Sequence, residues 1–321
     1  MTAQFSRETT SEAAASFFAD EIKGKTVLVT GASWEGLGAE AARVIAKNGA
    51  GLVILAGRRQ ESLDETTQKI KAESPNAHLR SLILDLSSLE SVRQAAQEVN
   101  QYPETIDVLI NNAAVMASPY STTKDGFELQ FGTNHLGHFL FTGLIFSRIM
   151  ASKEPRIVNV SSFGHNFCPI LYDDPGFSKG AVYDKWNAYG QAKTANILFS
   201  RELANRYGDK GLTAFSLHPG HIMTPLAKHI NVEDEVKSER LDYYGNKVPK
   251  PADLLGFKTI QQGTATHIVA AFDPSIKTQN GSYLQDARID NDSVRDWAKD
   301  DQNASRLWEL SEKLVGYSFK L

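Results

Sequence analysis

Short runs of Val, Ile and Leu alternate with helical segments along most of this chain, and this alternation constrains the fold more than any other feature. The runs lie at residues 25–30, 51–57, 79–84, 106–110, 156–160, 212–217 and 281–284. Strands that are apolar on both faces are typical of parallel sheets covered by helices on each side. The pattern therefore predicts an α/β fold in a single domain, with a doubly wound parallel sheet of about seven strands flanked by helices.

Helical periodicity and composition divide the chain further. Helices are predicted at residues 40–48, 61–73, 89–100, 125–152, 187–207 and 257–272. Residues 1–24 are predicted to form an N-terminal extension, 25–291 the main domain and 292–321 a C-terminal helical tail. Residues 221–256 are rich in Lys, Asp and Glu, which indicates an irregular loop region over a substrate site.

The composition excludes several classes of protein. The net charge of −4 argues against a nucleic-acid partner, because such a partner calls for a basic face. The single cysteine, Cys168, excludes an internal disulfide framework and fits a reducing compartment. The longest apolar run, 139–146, is too short to span a bilayer, and the N-terminus does not resemble a signal peptide. We expect a cytoplasmic protein with no integral membrane segment and no nucleic-acid partner.

A glycine-rich loop, Thr30-Gly-Ala-Ser-Trp-Glu-Gly-Leu-Gly38, joins the first predicted strand to the first predicted helix. Glycines let a phosphate approach the backbone closely, and the N-terminus of a helix offers free N–H groups and a partial positive charge. The loop therefore predicts a site for the pyrophosphate of a nucleotide; a tight turn without a ligand is the alternative. A carboxylate would repel phosphate, so we expect Glu35 to point outward.

The end of the second predicted strand, Ala56-Gly57-Arg58-Arg59, bears on the choice of cofactor. Folds that bind NAD usually place an acid near this point for the ribose 2′-hydroxyl, whereas an arginine suits the 2′-phosphate of NADP. Arg58 therefore favours NADP(H) over NAD(H), although two solvated arginines at a helix start would show the same pattern. Ser33 is expected to bind a phosphate, and Asp85 to reach the adenine unless it only caps the strand end.

Tyr189 and Lys193 lie four residues apart in a predicted helix, so they share one face. At about 5 Å and an effective dielectric near 20, the attraction between phenolate and ammonium is about 3 kcal/mol. Such an attraction would lower the pKa of the phenol by roughly two units, from about 10 towards 8. The pair predicts a tyrosine that exchanges a proton near neutral pH; a packed ring beside a solvated amine has the same spacing.

These features belong to an ordered set of motifs. The set comprises Thr30-Gly31, Gly36-x-Gly38, Asp85, Asn111-Asn112-Ala113-Ala114, Asn134, Val160-Ser161-Ser162, Tyr189-x-x-x-Lys193 and Pro219-Gly220-x-x-x-Thr224. With this set, the chain over about residues 24–290 resembles the short-chain dehydrogenase/reductase family, which has a Rossmann-type fold. The run that begins at Asn134, the long gap before Tyr189 and the C-terminal tail are similar to the retinol-dehydrogenase-like branch, in a fungal-looking version. The glycine loop is one residue longer than usual, and Ala114 stands where the family commonly has Gly.

The resemblance implies roles for individual residues. Tyr189 would protonate a carbonyl oxygen, or deprotonate an alcohol, as hydride passes from or to nicotinamide. Lys193 would lower the pKa of Tyr189 and bind the nicotinamide ribose. Ser162 would hold the substrate oxygen, and Asn134 would hold a water that links Lys193 to solvent. The implied cofactor-binding residues are Gly31, Ser33, Gly36, Leu37, Gly38, Arg58, Asp85, Leu86, Asn112, Ala113, Ala114, Tyr189, Lys193, Pro219, Gly220, Ile222 and Thr224.

The sequence thus predicts an NADP(H)-dependent oxidoreductase that reduces a carbonyl to an alcohol, or catalyses the reverse reaction. A bulky, hydrophobic substrate is indicated by residues expected around the pocket: Phe163, Phe167, Tyr172, Tyr183, Trp186 and Met223. One alternative is a non-redox enzyme of the same fold, a dehydratase, cyclase or isomerase of secondary metabolism. The other is a catalytically silent nucleotide-sensing scaffold. The resemblance also allows a homodimer through the helices that carry Asn134 and Tyr189.

The histidines and the cysteine do not predict further chemistry. His135 and His138 are three residues apart, but no third ligand is evident, so no metal site is predicted. His165, His218 and His221 fall near the expected pocket, where they either contact substrate or are simply solvated. Cys168 has no identifiable base that would make it a nucleophile.

Overall fold

A single α/β domain is built from ten strands in the residues described by the computed structural model, 5–227, 230–231, 238–250 and 256–319. The predicted loop region 221–256 is therefore described only in part, since 228–229, 232–237 and 251–255 lie outside these residues. The strands are β1 (Thr26–Thr30), β2 (Leu52–Gly57), β3 (Leu79–Ile83), β4 (Val108–Asn111), β5 (Arg156–Val160), β6 (Thr213–His218), β7 (Arg240–Leu241), β8 (Lys247–Val248), β9 (Tyr283–Gln285) and β10 (Arg288–Ile289).

Helices cover both faces of the sheet. In chain order they are α1 (Ser11–Phe17), α2 (Ala19–Ile22), α3 (Leu37–Lys47), α4 (Gln60–Glu73), α5 (Leu89–Asn100), α6 (Leu129–Phe131), a π-helical turn (Gly132–Leu136), α7 (Gly137–Leu144), α8 (Phe146–Met150), α9 (Lys185–Tyr207), α10 (Ile260–Phe272), α11 (Asp296–Lys299) and α12 (Asp301–Val315). Short 3₁₀ turns connect several of them.

The main sheet has the order β10-β9-β6-β5-β4-β1-β2-β3, and every neighbouring pair is parallel except β10 with β9. The predicted doubly wound parallel sheet is confirmed, with one strand more than the seven expected. The extra strand, β10, is only two residues long, so it carries no detectable apolar period. It follows a tight turn in which Asp286 and Ala287 both have positive φ. The strands β7 and β8 form a separate antiparallel hairpin.

The alternating side chains of the central strands divide the core into two layers. Val27 and Val29 of β1 face a cluster formed with α1, α3, α4 and α10. Leu28 between them faces the other cluster, formed with α5, α7, α9 and α12. All five residues of β1 are buried, which is why this strand shows as an unbroken apolar run.

The predicted continuous helix at 125–152 is wrong. Residues 125–126 form a turn in which Gly126 has a φ of +86°, and the helix begins only at Leu129, where the Glu128 carboxylate accepts the N–H groups of residues 130 and 131. The π-helical turn then interrupts the α-helical pattern, and a break at Ile145 separates α7 from α8. An apolar period indicates a helix but does not reveal a one-residue insertion within it.

The N-terminal extension is held on the domain by a cluster of charges around Arg43. The guanidinium, with only 10% of the side chain exposed, contacts the carboxylates of Glu12, Glu40 and Glu73 at 2.7–2.8 Å. Lys47 adds contacts of 3.1 Å to Glu12 and 3.0 Å to Glu73. Because Glu12 belongs to α1, the cluster joins this helix to α3 and α4.

Replacing Arg43 with Met is expected to lower the free energy of unfolding by about 3 kcal/mol, because three carboxylates lose the cation they share. Hydrogen bonds from Lys47 hold the pKa of Glu73 below its ordinary value, so the contribution of the cluster is full above the pKa of an unfolded glutamate and is lost as the pH falls through the lower, folded value. Urea unfolding at several pH values measures both effects.

The matched control for this experiment is Arg201→Met. Arg201 pairs with Asp301, whose side chain is 64% exposed, so its removal should cost less than about 1 kcal/mol. An equal loss of stability in both variants would contradict the importance of the Arg43 cluster.

The C-terminal tail packs along the helices that carry Asn134 and Tyr189. Trp308 of α12 is buried against Phe139 of α7 and Phe199 of α9, with ring centroids 5.2 and 5.9 Å away. The Ser311 hydroxyl lies 2.7 Å from Nε2 of His135 in the π-helical turn. The faces of α7 and α9 that carry these side chains are therefore covered within one chain.

Candidate active site

The carboxyl ends of the parallel strands open onto a cavity of about 670 Å³. Its wall includes Thr30 at the end of β1, Gly57 at the end of β2, Asn112 after β4, Ser161 after β5 and His218 at the end of β6. Parallel strands point their carboxyl ends to the same edge of the sheet, so segments far apart in the sequence meet there.

The glycine loop fits a phosphate at one end of the cavity. Gly36 is the N-cap of α3 and makes no side-chain cap bond, so the first N–H groups of the helix are available to a ligand. Gly31 has a φ of +71°, and a Cβ at this position would lie 2.7 Å from the Cα of Ala113. Gly38 packs against the carbonyl of Gly31 and does not line the cavity.

The additional residue of the glycine loop is accommodated in a tight turn. The Gly36 N–H donates to the Ser33 carbonyl at 3.2 Å, and Glu35, the third residue of this turn, has a φ of +64°. The Glu35 side chain is exposed and is not among the residues that line the cavity, which agrees with its predicted outward orientation. Trp34 and Ser33 do line the wall.

Arg58 and Arg59 lie on the cavity wall just after β2 and are both exposed. Asp85, by contrast, is not a lining residue. One of its carboxylate oxygens accepts the N–H and O–H of Ser87 at 3.1 and 2.6 Å, and the other lies 3.5 Å from Nζ of Lys124. The structure therefore does not bring Asp85 to the wall, because its carboxylate is used in a local turn.

The other predicted cofactor residues do line this cavity. They are Leu37, Leu86, Asn112, Ala113, Ala114, Pro219, Gly220, Ile222 and Thr224. The segment after β6 is held by Lys258, which the sequence did not single out. The Lys258 N–H donates to the His221 carbonyl at 2.8 Å, and its ammonium group is buried against Asp286. No local pattern around residue 258 signals this contact, since its partners are far away along the chain.

Asn134 lies in the π-helical turn and is fully buried. Its side-chain oxygen accepts the Val115 N–H at 2.8 Å, and its side-chain nitrogen donates to the Val115 carbonyl at 2.9 Å. Val115 lines the cavity, whereas Asn134 does not. The side-chain amide is thus used to position Val115 on the wall. The water-holding role that the resemblance implied for Asn134 stays a prediction.

His138 connects this turn to the glycine loop. Its Nδ1 lies 3.0 Å from the Asn134 carbonyl, and its Nε2 lies 2.8 Å from the Thr30 hydroxyl. Thr30 in turn accepts the N–H groups of Asn112 and Ala113. Burial lowers the pKa of His138 to about 4, so a neutral ring donates from Nδ1 and accepts at Nε2. Its spacing of four residues from Asn134 is the only sequence signal for this contact.

Ser162, Tyr189 and Lys193 meet on one wall of the cavity. Ser162 Oγ accepts the Gly164 N–H at 3.0 Å and forms a hydrogen bond with the Tyr189 phenol. The neighbouring Ser161 instead donates its hydroxyl to the Lys193 carbonyl at 2.7 Å and is buried. The choice of Ser162 over Ser161 as the substrate-facing serine agrees with these contacts.

The pKa of Tyr189 differs from the predicted one. Burial raises the pKa of Tyr189 to about 12, although the hydrogen bond from Ser162 acts in the opposite direction. Burial also lowers the pKa of Lys193 to about 7. The Lys193 ammonium lies 5.5 Å from the Tyr189 ring centroid and donates to the Val160 carbonyl at 2.9 Å. The predicted shift towards 8 is wrong, because it counted the attraction of the two charges and omitted the cost of burying each.

A small residue at position 164 is required by the Tyr189 ring. A Cβ on Gly164 would lie 2.8 Å from both Cδ1 and Cε1 of this ring. We expect Gly164→Ala to displace the phenol and to lower kcat by roughly 10²-fold, since a misplacement of about 1 Å can cost that much. Steady-state kinetics together with fluorescence titration of the cofactor measure the effect on kcat and on binding.

Gly176→Ala is the matched control, because the nearest atom to a Cβ there is 4.0 Å away. A kcat for Gly164→Ala that equals that of the control would show that the ring tolerates the added methyl group.

Four of the six residues expected around the substrate pocket line the cavity. Phe163, Phe167, Trp186 and Met223 line the cavity, as do His218 and His221. Tyr172 and Tyr183 do not line it, because their hydroxyls donate to the carbonyls of residues 303 and 118. His165 and Cys168 are buried away from the cavity, and burial raises the pKa of the Cys168 thiol.

The described residues contain neither a cluster of metal ligands nor a membrane-spanning helix. In this part of the chain no three His, Cys, Asp or Glu side chains lie close enough together to hold a metal ion. None of the helices in the same residues combines the length and the apolar character needed to cross a bilayer.

Comparison with known proteins gives consistent matches. The family model described as short chain dehydrogenase matches residues 25–235. Retinol dehydrogenase 13 of Mus musculus is 38% identical over 295 residues, which cover 92% of this chain and 85% of that protein. The short-chain dehydrogenase/reductase prx1 of Penicillium rubens is 36% identical over 312 residues, covering 93% of this chain and 87% of that protein.

A solved structure extends the match to three dimensions. The crystal structure of an uncharacterized protein from Mycobacterium Paratuberculosis is 32% identical and superimposes with a TM-score of 0.70. The match covers 94% of this chain and 96% of that chain.

Proposed function

The chain belongs to the short-chain dehydrogenase family, and from this premise we propose that it is an NADP(H)-dependent oxidoreductase that converts a carbonyl to an alcohol, or the reverse, on a bulky hydrophobic small molecule. The family uses nicotinamide cofactors. The observation that carries the proposal is the convergence of Ser162, Tyr189 and Lys193 on one wall of a cavity that also contains the glycine loop.

The residues present fit a nicotinamide dinucleotide. The uncapped N-terminus of α3 and the close approach of Gly31 to Ala113 suit a pyrophosphate. Arg58 and Ser33 would hold the 2′-phosphate that distinguishes NADP(H), with Arg59 beside them. The segment from Pro219 to Thr224 would receive the nicotinamide end. When bound, the cofactor supplies or accepts the hydride.

Tyr189 would act on the proton. With its pKa raised to about 12, the phenol stays protonated at neutral pH, which suits a donor to the oxygen of a carbonyl substrate. Ser162 already accepts the Gly164 N–H, so its own O–H is directed to the phenol or the substrate oxygen. Lys193, anchored on the Val160 carbonyl, would stabilise the phenolate that remains after the proton leaves.

A direct test is to incubate the protein with NADPH and a panel of aldehydes and ketones, and to follow both the absorbance of reduced nicotinamide and the products. We expect NADPH oxidation that depends on the carbonyl compound, and slower oxidation of NADH. Products formed without loss of NADPH would favour the non-redox alternative. Cofactor binding with no conversion of any compound would favour the scaffold.

Three further expectations stay predictions. They are a homodimer through α7 and α9, a cytoplasmic location and a fungal source. Trp308 of α12 already packs against Phe139 of α7 and Phe199 of α9, so a dimer on the same faces would require α12 to move. The match to a Penicillium protein is the observation in favour of a fungal source.

A further inference from the structure

The segment at residues 219–224, which would receive the nicotinamide end of the cofactor, is backed by two other parts of the chain. Strands β6 and β9 run side by side with His218 opposite Gln285, so the turn after β9 lies next to this segment. The helix α10 packs so closely that a Cβ on Gly263 would lie 2.6 Å from Cδ1 of Ile222. Residues 219–224 also line the cavity, so a shift of the segment would change the shape of this end of the cavity.

Lys258 contacts three consecutive residues of the segment. Its backbone N–H donates to the His221 carbonyl at 2.8 Å, and it pairs with Ile222 in a parallel β-bridge. Its aliphatic stem covers Gly220, which has a φ of +96° and where a Cβ would lie 2.6 Å from Cδ of Lys258. The Lys258 side chain is 1% exposed and does not line the cavity, so it supports the segment from behind.

The ammonium group of Lys258 is paired with the Asp286 carboxylate in the turn between β9 and β10. This turn has an anchor of its own, because the Ala287 N–H donates to the Thr266 hydroxyl at 3.1 Å and Ala287 is buried in the core. Removing one partner of a buried ion pair is costly, since the other partner loses its compensating charge. The pair therefore ties the Lys258 stem, and with it Gly220, to a turn whose position is fixed independently.

We propose that Lys258, through its ion pair with Asp286, is a positioning residue for the nicotinamide end of the cofactor. The phosphate end is distant, because the glycine loop and Arg58 follow β1 and β2, which are three and four strands away from β6 in the sheet. Loss of the ion pair should therefore disturb the nicotinamide end and spare the adenine end. The inference rests on the proposed use of NADP(H), and it adds a residue that the ordered motifs do not contain.

The experiment compares NADPH with 2′,5′-ADP, which has the adenine and the 2′-phosphate of NADPH but no nicotinamide. Lys258→Met keeps an unbranched stem over Gly220 and removes the charge. It should weaken NADPH binding by about tenfold, as for one lost hydrogen bond, and leave the affinity for 2′,5′-ADP within about twofold. At saturating NADPH, kcat for carbonyl reduction should fall by about tenfold or more, since hydride transfer depends on alignment. Calorimetric titrations and steady-state kinetics measure these effects.

Asp286→Asn removes the other partner of the pair, and asparagine tolerates the φ of +52° at this position. It should show the same selective effect. The double variant should lose little more than the larger of the two single losses, because both substitutions remove one interaction. Lys258→Arg, which keeps the charge, should retain part of the affinity for NADPH.

Lys25→Met is the matched control. Lys25 pairs with Glu154 at 3.5 Å and does not line the cavity, so both affinities and kcat should stay unchanged. Equal weakening of NADPH and 2′,5′-ADP binding by Lys258→Met would overturn the inference, because it would indicate a general effect on the fold. Unchanged NADPH binding and kcat would overturn it as well. If Lys258→Met does not fold, Asp286→Asn decides by the same comparison.

The two binding titrations separate this inference from the proposed function. If the unaltered protein binds NADPH but reduces no carbonyl compound, the proposed redox function fails, while selective loss of NADPH affinity in Lys258→Met still supports the positioning role. If the unaltered protein reduces a carbonyl compound but binds NADPH no more tightly than 2′,5′-ADP, and kcat of Lys258→Met is unchanged, only the inference fails. If it binds neither compound, both fail.

Discussion

Replacing Tyr189 with Phe is expected to lower kcat for carbonyl reduction by roughly 10²–10⁴-fold, the usual contribution of a positioned general acid. The substitution removes the proton donor but keeps the ring, which is 5% exposed and packs on Gly164 and Trp186. Affinity for NADPH should change by no more than a few-fold. Steady-state kinetics with a carbonyl compound that the unaltered protein reduces measure the effect on kcat. Fluorescence titration with NADPH measures the effect on cofactor binding.

Tyr172→Phe is the matched control for this substitution. Tyr172 donates to the Asn303 carbonyl and lies outside the cavity, so the variant loses a hydroxyl of the same kind without touching the site. We expect its kcat to stay within a few-fold of the unaltered protein. Undiminished turnover in Tyr189→Phe would contradict the proposed proton transfer, whereas equal losses in both variants would indicate a general effect on the fold.

Removal of the charge at Arg58 should have the second large effect, a weakening of NADPH binding by about ten- to a hundredfold. A hydrogen bond to a charged group contributes about 1.5–3 kcal/mol, and each 1.4 kcal/mol is tenfold in affinity. Arg58→Gln should leave the affinity for NADH within a few-fold, because NADH has no 2′-phosphate. The double variant with Arg59→Gln should lose still more, since both side chains line the same end of the cavity.

Titration of each variant with NADPH and NADH at two salt concentrations measures this effect. The preference for NADPH in the unaltered protein should fall as the salt concentration rises, because exposed charges are screened. Arg288→Gln is the control for loss of a positive charge outside the site, because Arg288 is exposed and does not line the cavity. Equal or tighter binding of NADH than NADPH by the unaltered protein would contradict the choice of cofactor.

Much of the fold is readable from local patterns. The run 156–160 coincides with β5, and six other predicted strands differ from the observed ones by at most a few residues. The five central strands β1, β2, β4, β5 and β6 are buried along their whole length, so most of their side chains are apolar, whereas the edge strand β3 is only partly buried. The prediction of one continuous helix at 125–152 was wrong, because the π-helical turn and the Glu128 cap depend on contacts that an apolar period does not encode.

The candidate site, like the fold, could be predicted from the sequence only in part. The motifs identified Ser162, Tyr189 and Lys193, and the structure brings these three together. The side-chain contacts of Asn134 with the Val115 backbone and of Asp85 with the Ser87 hydroxyl could not be anticipated from the motifs, and the implied roles of both residues stay predictions. The contact of Lys258 with Asp286 joins residues 28 positions apart and has no local signal.

The sequence by itself determined the sheet, the glycine loop and the side chains that we propose to react, because each follows from spacing within a few residues or from an ordered set of motifs. Only the tertiary structure decided the pKa values of these side chains and which helices are covered by other parts of the chain. Burial reverses the predicted shift in the pKa of Tyr189, and α12 covers α7 and α9. Both outcomes depend on how much water is removed around a group, and that is set by segments distant in the chain.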